Sequence, residues 1–400
     1  MKFRTQVAVL GAIAAALCGF FCLSTSFGEH LVFASYDLPF LFRPLLHPKE
    51  AVIVYLDDAS HEKLHQKYLQ PWNRAFYTQL LKRLTADHAK AVVFDIIFSD
   101  NLDPATDQAL AHAMETNGKV VLAAEEVQES FGNQKVSVNR ISGPAPIFKS
   151  VAADLGLAAT YADYDVVVRA YAPTSPQVAG PAPPTSSEAW AGAVLAIPSL
   201  LTNKTLQNSM FWLNYYGPEL QTIPSVSLYQ AIANSDPNTP PGYFSNKVVF
   251  VGERIKTQPS DTGKDEYRSP YSYLPGDSFI SGVAIHATAC LNLIRGDYLR
   301  RFGGGTERIV VLLFGVIFGA GLAFFRPIQA FLLALLAAIV IALADYLCFV
   351  QWHYWFPFLI PIVVQIPLAL LWSVTAGSVR LFRETQTLRQ RVRELEKPSR

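Results

Sequence analysis

The sequence predicts an α/β domain, built on a mostly parallel sheet covered by helices, that is attached to four transmembrane helices. Apolar runs that reach the roughly 20 residues needed to cross a hydrocarbon core occur once at the start of the 400-residue chain and three times near its end. Between them, short apolar β-branched runs alternate with helical patterns. That alternation is typical of parallel sheets with both faces covered.

The composition narrows the class of protein further. Apolar residues make up 51% of the chain and charged residues 16%, which fits a globular region joined to membrane segments. The net charge is +1 and the middle region has no basic stripe, so we expect no nucleic-acid partner. Cys290 is the only cysteine in the middle region, which excludes an internal disulfide framework and a cysteine zinc site there.

The predicted spans cover residues 6–28, 309–325, 328–350 and 355–375. The first is interpreted as a retained anchor, because its apolar run exceeds the roughly 7–15 residues of a signal-peptide core. A cleavable signal ending near Ser24 and Ser26 is the alternative. Lys2, Arg4 and the basic tail predict cytoplasmic termini by the positive-inside rule. We therefore expect a multi-pass protein of a bacterial inner (plasma) membrane, with its middle domain extracytoplasmic or periplasmic.

These spans divide the chain into an anchor at residues 1–28, an extracytoplasmic α/β domain at 29–302, three transmembrane helices at 309–375 and a basic cytoplasmic tail at 376–400. In the tail, residues with the a/d spacing of a coiled coil occur at Leu381, Thr385, Leu388, Val392 and Leu395. A basic amphipathic helix on anionic lipid would have a similar pattern. We expect a homodimer, because tethering by the last span raises the local concentration of the tail.

Within the domain, strands and helices are predicted in alternation. Strands are predicted at residues 51–56, 91–94, 120–122, 211–214 and 248–252. Helices are predicted at residues 62–68, around 80–84, at 105–115 and from Ser187 onward. The proline-rich segment 174–185 is interpreted as an exposed loop. In sheets of this kind, ligands bind outside the carboxyl ends of the strands.

Acidic side chains follow several of these strands. Asp57 and Asp58 follow the first, Asp95 follows the second, and Glu253 follows the last. Carboxylates at one sheet edge can bind a cation or a cationic ligand, or they can cap helices and hold loops, and both interpretations stay open. Arg74, at the start of a helix, can pair with Asp95, with an anionic ligand or within a structural ion pair.

Several short motifs occur in the order found in one protein family: VIVYLDDAS at residues 52–60, PWNR at 71–74, AVVFDIIFS at 91–99, VVFVG at 248–252 and GVAIHA at 282–287. With the three spans that follow, they resemble the second type of cyclase- and histidine-kinase-associated extracellular sensory (CHASE) domain. The segment at 91–99 is the strongest motif. Tyr55 and Ala284 depart from the pattern, which has glycine and glutamate there.

The resemblance adds Asp265 to the candidate residues, and His286 lies in the last motif. His286 can contact a ligand or sense pH, and a structural histidine that holds a loop is the alternative. The predicted ligand-binding residues are Asp57, Asp58, Arg74, Asp95, Glu253, Asp265 and His286.

The resemblance implies an external input domain that detects an unidentified signal and passes it to a cytoplasmic kinase or cyclase. About 25 residues follow the last span, so we expect the output protein to be separate. A non-signalling envelope protein that binds or scaffolds a wall component is the alternative. The sequence has no hydrolase, metalloprotease, phosphate-cradling or dinucleotide motif, so we expect no enzyme activity and no cofactor.

Overall fold

The computed structural model describes residues 2–131, 136–174, 186–233, 235–254, 265–273 and 279–395. The chain forms two compact units. The α/β unit is Pro44–Leu299, and the helical unit is Met1–Arg43 together with Arg300–Arg400. The sequence pattern predicts that the domain starts at residue 29, whereas the α/β unit starts at Pro44. Beyond Thr174, the predicted loop at 174–185 lies outside the described residues.

Two helices open the helical unit. α1 (Lys2–Ser24) contains most of the first predicted span, and a 3₁₀ turn at Ser26–Gly28, where that predicted span ends, leads into α2 (Glu29–Phe42). No helix is predicted at α2 from the sequence. Its apolar face is buried within the helical unit, where the Tyr36 ring centroid lies 5.4 Å from that of Trp355. These aromatic contacts explain why the segment belongs to the helical unit.

The strands of the α/β unit are β1 (Ala51–Asp57), β2 (Ala91–Phe94), β3 (Val120–Phe131), β4 (Val136–Ser142), β5 (Asp154–Leu157), β6 (Ala170–Tyr171), β7 (Phe211–Trp212), β8 (Ser225–Ser227), β9 (Val248–Arg254), β10 (Glu266–Tyr267) and β11 (Ile280–Ser281). The main sheet has the order β4-β3-β2-β9-β1-β8, and β5 also pairs with β3. Its described pairings are parallel apart from β3 with β4. The prediction of a mostly parallel sheet is confirmed.

The helices of the α/β unit are α3 (Asp58–Lys63), α4 (Arg74–Ala86), α5 (Pro104–Asn117), α6 (Pro146–Lys149), α7 (Glu188–Ala196), α8 (Lys204–Gln207), α9 (Leu228–Ile232) and α10 (Gly282–Arg295). On one face of the sheet, α4 and α5 share a buried apolar core with β1, β2 and β9. On the other face, α7 packs so closely that a Cβ at Gly192 would lie 2.7 Å from Val93 Cγ2. α10 also contacts β9 and β1.

Two predicted elements differ from the structure. Residues 211–214 are predicted to join the parallel sheet, but β7 pairs antiparallel with β6 in a separate ribbon. The edge strand is instead β8, whose short sequence Ser-Val-Ser carries no apolar run. The helix predicted at 62–68 lies instead at Asp58–Lys63, so the prediction is wrong for residues 64–68. The side chain of Asp57 caps the start of this helix by accepting from the Ser60 amide.

The helical unit continues with β12 (Arg300–Arg301), α11 (Gly304–Gly321), α12 (Pro327–Trp352), β13 (Tyr354–Trp355), a π-helical segment at Ile360–Gln365 and α13 (Ile366–Leu395). The helices long and apolar enough to cross a membrane are Thr5–Ser24, Gly304–Phe324, Pro327–Trp352 and Ile360–Val379. Each overlaps one of the four spans predicted from the sequence, with bounds that differ by up to five residues.

Small residues allow α1 and α11 to pack closely. A Cβ at Gly319 would lie 2.2 Å from the carbonyl oxygen of Gly11, and a Cβ at Gly315 would lie 2.4 Å from the Cα of Ala16. Gly315 and Gly319 form a G-x-x-x-G motif, which brings membrane helices together in this way. The buried Gln365 amide joins both helices, because it donates to the carbonyls of residues 15 and 311.

The last span and the tail form one continuous helix, α13. The side chains of Leu381, Val392 and Leu395 lie outside the described residues, whereas Leu388 is exposed. The coiled coil therefore stays a prediction.

Candidate functional site

The carboxyl ends of three neighbouring strands meet at one edge of the sheet. β9 lies between β2 and β1, and all three run parallel. Phe94 pairs with Val251, and the Asp95 amide donates to the Val251 carbonyl at 2.9 Å. This register places Asp57, Asp95 and Glu253 at the same edge.

The first two acidic residues hold local structure. Asp57 accepts from the Ser60 amide at 2.9 Å and from the Ser227 hydroxyl. Asp58 accepts from the Tyr68 hydroxyl at 3.0 Å. These bonds fix the start of α3 and the β8 edge, which is the capping role considered from the sequence.

Arg74 also makes structural contacts within the α/β unit. Its Nε lies 3.5 Å from Asp107 Oδ1, and its Nη2 donates to the Asp100 carbonyl at 3.2 Å. The guanidinium lies over the Phe98 ring, 4.5 Å from the centroid. The described contacts of Arg74 thus form a structural ion pair with Asp107, and they do not include Asp95.

Three ionisable side chains come together on the face of the sheet that α7 and α10 cover, opposite to Arg74. Each of Asp95, Glu188 and His286 offers a ligand atom, and these atoms all lie within 4.8 Å of one another. Glu188 and His286 are fully buried, and Asp95 is half-buried. We call these three residues the acidic cluster.

Each residue of the acidic cluster is positioned by a different element. Asp95 directly follows β2, and Glu188 is the first residue of α7, whose cap Ser187 accepts from the Trp190 amide at 3.3 Å. His286 lies in the first turns of α10, and its Nδ1 is 2.5 Å from the Tyr171 hydroxyl oxygen. Two helix N-termini and one strand end therefore converge.

Two glycines permit this convergence. A Cβ at Gly156 would lie 2.5 Å from the Cα of Glu188, so only glycine lets α7 approach β5 this closely. A Cβ at Gly282 would lie 1.9 Å from Asp265 Oδ2, so the carboxylate of Asp265 rests against the start of α10. The side chains of Asp265 and Glu253 are exposed, which leaves two carboxylates at the solvent side of the cluster.

Burial sets the protonation of the acidic cluster. It raises the pKa of Asp95 well above its usual range, and the negative charges of Asp265 and Glu253 raise it further. Burial, followed by the charges of Asp95 and Asp265, raises the pKa of Glu188 in the same way. Burial lowers the pKa of His286 to about 4, although the Ala158 carbonyl partly offsets this. The imidazole is therefore neutral at pH 7.

Glu188 is the least satisfied member of the cluster. It is 0% exposed, and neither carboxylate oxygen has a hydrogen-bond partner among the residues that the structure describes. Removing a carboxylate from water without a partner costs several kcal/mol, so this side chain favours a proton or a bound cation.

Glu253 also borders a cleft of about 350 Å³. Its lining residues include His61, Trp72, Arg74, Tyr77 and Asp100, together with Glu253 itself. The volume is in the range of small-molecule sites. Glu253 therefore lines the cleft, and its charge also raises the pKa of Asp95.

Glu188 is missing from the residues predicted from the sequence. It opens a helix whose next five residues are apolar or glycine and buried, so a single acidic residue at the start of a buried helix is the signal that could have found it. A capping role near a helix N-terminus explains such a residue equally well from sequence alone.

The fold and the site together define a class of protein. An α/β domain with acidic residues at its strand ends, in a chain with four helices apolar enough to cross a bilayer, fits a membrane protein that has a globular α/β domain. The family model for the CHASE2 domain matches residues 12–321, and the chain belongs to that family. This confirms the resemblance seen in the motifs. No curated protein and no solved structure matches the chain.

Proposed function

We propose that this protein is a membrane-anchored extracytoplasmic sensor that relays a stimulus through its transmembrane helices to a separate cytoplasmic output protein. The observation that carries the proposal is the match to a sensory-domain family, which covers the whole α/β unit and most of each of the first two candidate spans. In this proposal the domain binds a ligand and catalyses no reaction.

The chain connectivity supports a relay. His286 belongs to α10, the last helix of the α/β unit, and α11 with the second candidate span follows it closely in the chain. A ligand that shifts α10 would therefore act on the helix that enters the membrane next. At the other end, α13 continues from the last span into the tail without a break.

The tail offers a surface for the output protein. Phe382 and Leu388 are exposed, at 65% and 61%. In our proposal the tail lies in the cytoplasm with the N-terminus, as the basic residues Lys2 and Arg4 favour, and it engages a kinase- or cyclase-type partner as a homodimer.

Photo-crosslinking in cells tests the relay. A photoreactive residue at Leu388 should capture a cytoplasmic protein, while the same residue at exposed Tyr164 of the α/β unit should not. If Leu388 captures only lipid or its own copy under every growth condition, the envelope-scaffold alternative replaces the sensor.

Thiol labelling tests the orientation. A membrane-impermeant maleimide should label Glu115→Cys in intact spheroplasts and Gln386→Cys only after permeabilisation, because both side chains are exposed in the structure. The wild-type chain is the background control, since its four cysteines are buried or half-buried. The reverse labelling pattern would place the α/β unit in the cytoplasm and contradict the proposal.

A further inference from the structure

The acidic cluster has the composition of a metal site. It combines one imidazole and two carboxylates that reach a common point, with their ligand atoms within 4.8 Å of one another. Nitrogen and oxygen ligands in this ratio suit divalent transition metals, whereas Ca²⁺ and Mg²⁺ prefer oxygen alone.

A second observation points to a ligand at the same place. Both oxygens of the fully buried Glu188 have no hydrogen-bond partner among the described residues, although the carboxylate is directed at Asp95 and His286. Nearby buried or half-buried cations are taken up elsewhere, since Arg74 pairs with Asp107 and Arg254 pairs with Glu219.

The imidazole is in the form that binds metals. His286 is neutral at pH 7, and the Tyr171 hydroxyl and the Ala158 carbonyl are its partners. Metal-binding histidines usually have their second nitrogen oriented by a partner of this kind. For His286 to bind a metal, one of these two partners must release the ring nitrogen that it contacts.

The surroundings provide access for a cation. Asp265 and Glu253 are exposed beside the cluster, and both act on Asp95 through their negative charge. Carboxylates at the mouth of a buried acidic site raise the local concentration of cations. Two positive charges bound inside would also relieve the repulsion among the carboxylates.

We propose that Asp95, Glu188 and His286 bind a divalent transition-metal cation, Zn²⁺ or Mn²⁺, as the ligand of the sensory site. This inference deepens the proposed function and rests on it for the role of the metal in signalling. The metal site itself rests on the geometry of the acidic cluster.

The test is cation binding to the full chain in detergent, purified without a polyhistidine tag and stripped with EDTA. ZnCl₂, MnCl₂, MgCl₂ and CaCl₂ are titrated separately by calorimetry, and Co²⁺ serves as a spectroscopic probe of nitrogen and oxygen coordination. We expect one Zn²⁺ or Mn²⁺ per chain that Glu188→Gln removes, with an affinity loss of about 100-fold or more, since even the outer partners of metal ligands contribute about 10–100-fold.

Glu219→Gln is the matched control. Glu219 is also a buried glutamate of the α/β unit, but the hydroxyls of Tyr55 and Ser281 and the Arg254 guanidinium satisfy it. Its variant should keep the high-affinity site. Thermal unfolding in EDTA establishes that each variant is folded, and Glu188→Gln should be at least as stable there as the wild type.

Two results would overturn the proposal. One is a folded wild-type chain that binds none of the four cations saturably, which would leave the cluster neutralised by protons. The other is stoichiometric binding that survives Asp95→Asn combined with Glu188→Gln, which would place the metal elsewhere. Cation binding is measured without any output partner, so a failed cross-link at Leu388 with intact metal binding would refute the relay and leave the metal site standing.

Discussion

Arg74 and Glu188 are both buried ionisable side chains, on opposite faces of the same sheet, but they differ in their partners. Arg74, 6% exposed, has Asp107, the Asp100 carbonyl and the Phe98 ring around it. Glu188, 0% exposed, has two oxygens without a described hydrogen-bond partner. Arg74 thus has an opposite charge 3.5 Å away and a carbonyl acceptor, although its Nε has no hydrogen-bond partner among the described residues. A buried charge with partners of this kind belongs to the architecture, whereas a carboxylate with neither oxygen paired is a candidate for binding a partner from outside the chain.

The largest effect on stability should come from removing the ionic partner of Arg74. Asp107→Asn leaves Arg74 buried without its ionic partner, so the free energy of unfolding should fall by about 3–5 kcal/mol. Denaturant unfolding followed by tryptophan fluorescence measures the loss. Asp100→Asn is the control, because only the backbone carbonyl of Asp100 accepts from Arg74 and its side chain is exposed. Equal stability of wild type and Asp107→Asn would show that the ion pair does not hold this region.

A smaller loss is expected where the backbone brings Glu188 to the sheet. In Gly156→Ala the new Cβ would meet backbone atoms of Glu188 at 2.5 and 2.7 Å, so α7 must move. Overpacking of this kind costs about 1–3 kcal/mol. Gly143→Ala in the same unit is the control, since its Cβ would meet only the Ala124 side chain at 3.8 Å. The pair is compared by thermal unfolding, and equal midpoints would mean that α7 adapts without cost.

Replacing the unpaired Glu188 is predicted to increase stability, by an amount that depends on pH. Burial raises the pKa of Glu188 in the folded state. As the pH rises above about 4.3, Glu188 therefore ionises in the unfolded chain before it ionises in the folded one. The metal-free wild type loses stability over this range, until the pH passes the folded-state pKa. Glu188→Gln lacks this titration. In EDTA, its unfolding midpoint should match wild type near pH 4 and exceed it at pH 7. A difference that stays constant between these pH values would contradict the raised pKa.

The smallest effect should follow from removing one cap partner at the sheet edge. Ser227→Ala deletes the hydroxyl that donates to Asp57 and that also takes part in the capping box at the start of α9, while the Ser60 amide still donates to the same carboxylate. The loss of one such bond is about 1 kcal/mol. Ser99→Ala, at an exposed serine, should leave the unfolding midpoint unchanged. If Ser227→Ala equally leaves it unchanged, solvent has replaced the hydroxyl and Asp57 is available for a ligand.

The central strands were predictable because local sequence determines them. β1, β2 and β9 are apolar runs with an acidic residue at or next to their carboxyl ends, and their alternation with helices along the chain indicates a parallel sheet. β7 and β8 were not predictable, because tertiary contacts decide which strands pair. The apolar β7 lies outside the main sheet, whereas the short polar β8 forms its edge.

The site was predictable only in part, for a physical reason. Strand-end position placed Asp95 and Glu253 correctly at one edge, since all neighbouring parallel strands end there. Glu188 reaches the same point through the approach of α7 to β5 at Gly156, a contact between distant parts of the chain that no local pattern contains. Arg74 and Asp107 likewise meet only through the packing of α4 against α5.

Because α13 is unbroken, the part of the tail that it contains is a rigid continuation of the preceding helix and not a flexible linker. At 1.5 Å per residue its 30 residues span about 45 Å, and each added residue turns everything beyond it by about 100°. The direction in which Leu388 faces is therefore fixed relative to the candidate span in the same helix. Gly377, which has open space around it, is a position where one inserted residue would turn that face away and four would nearly restore it.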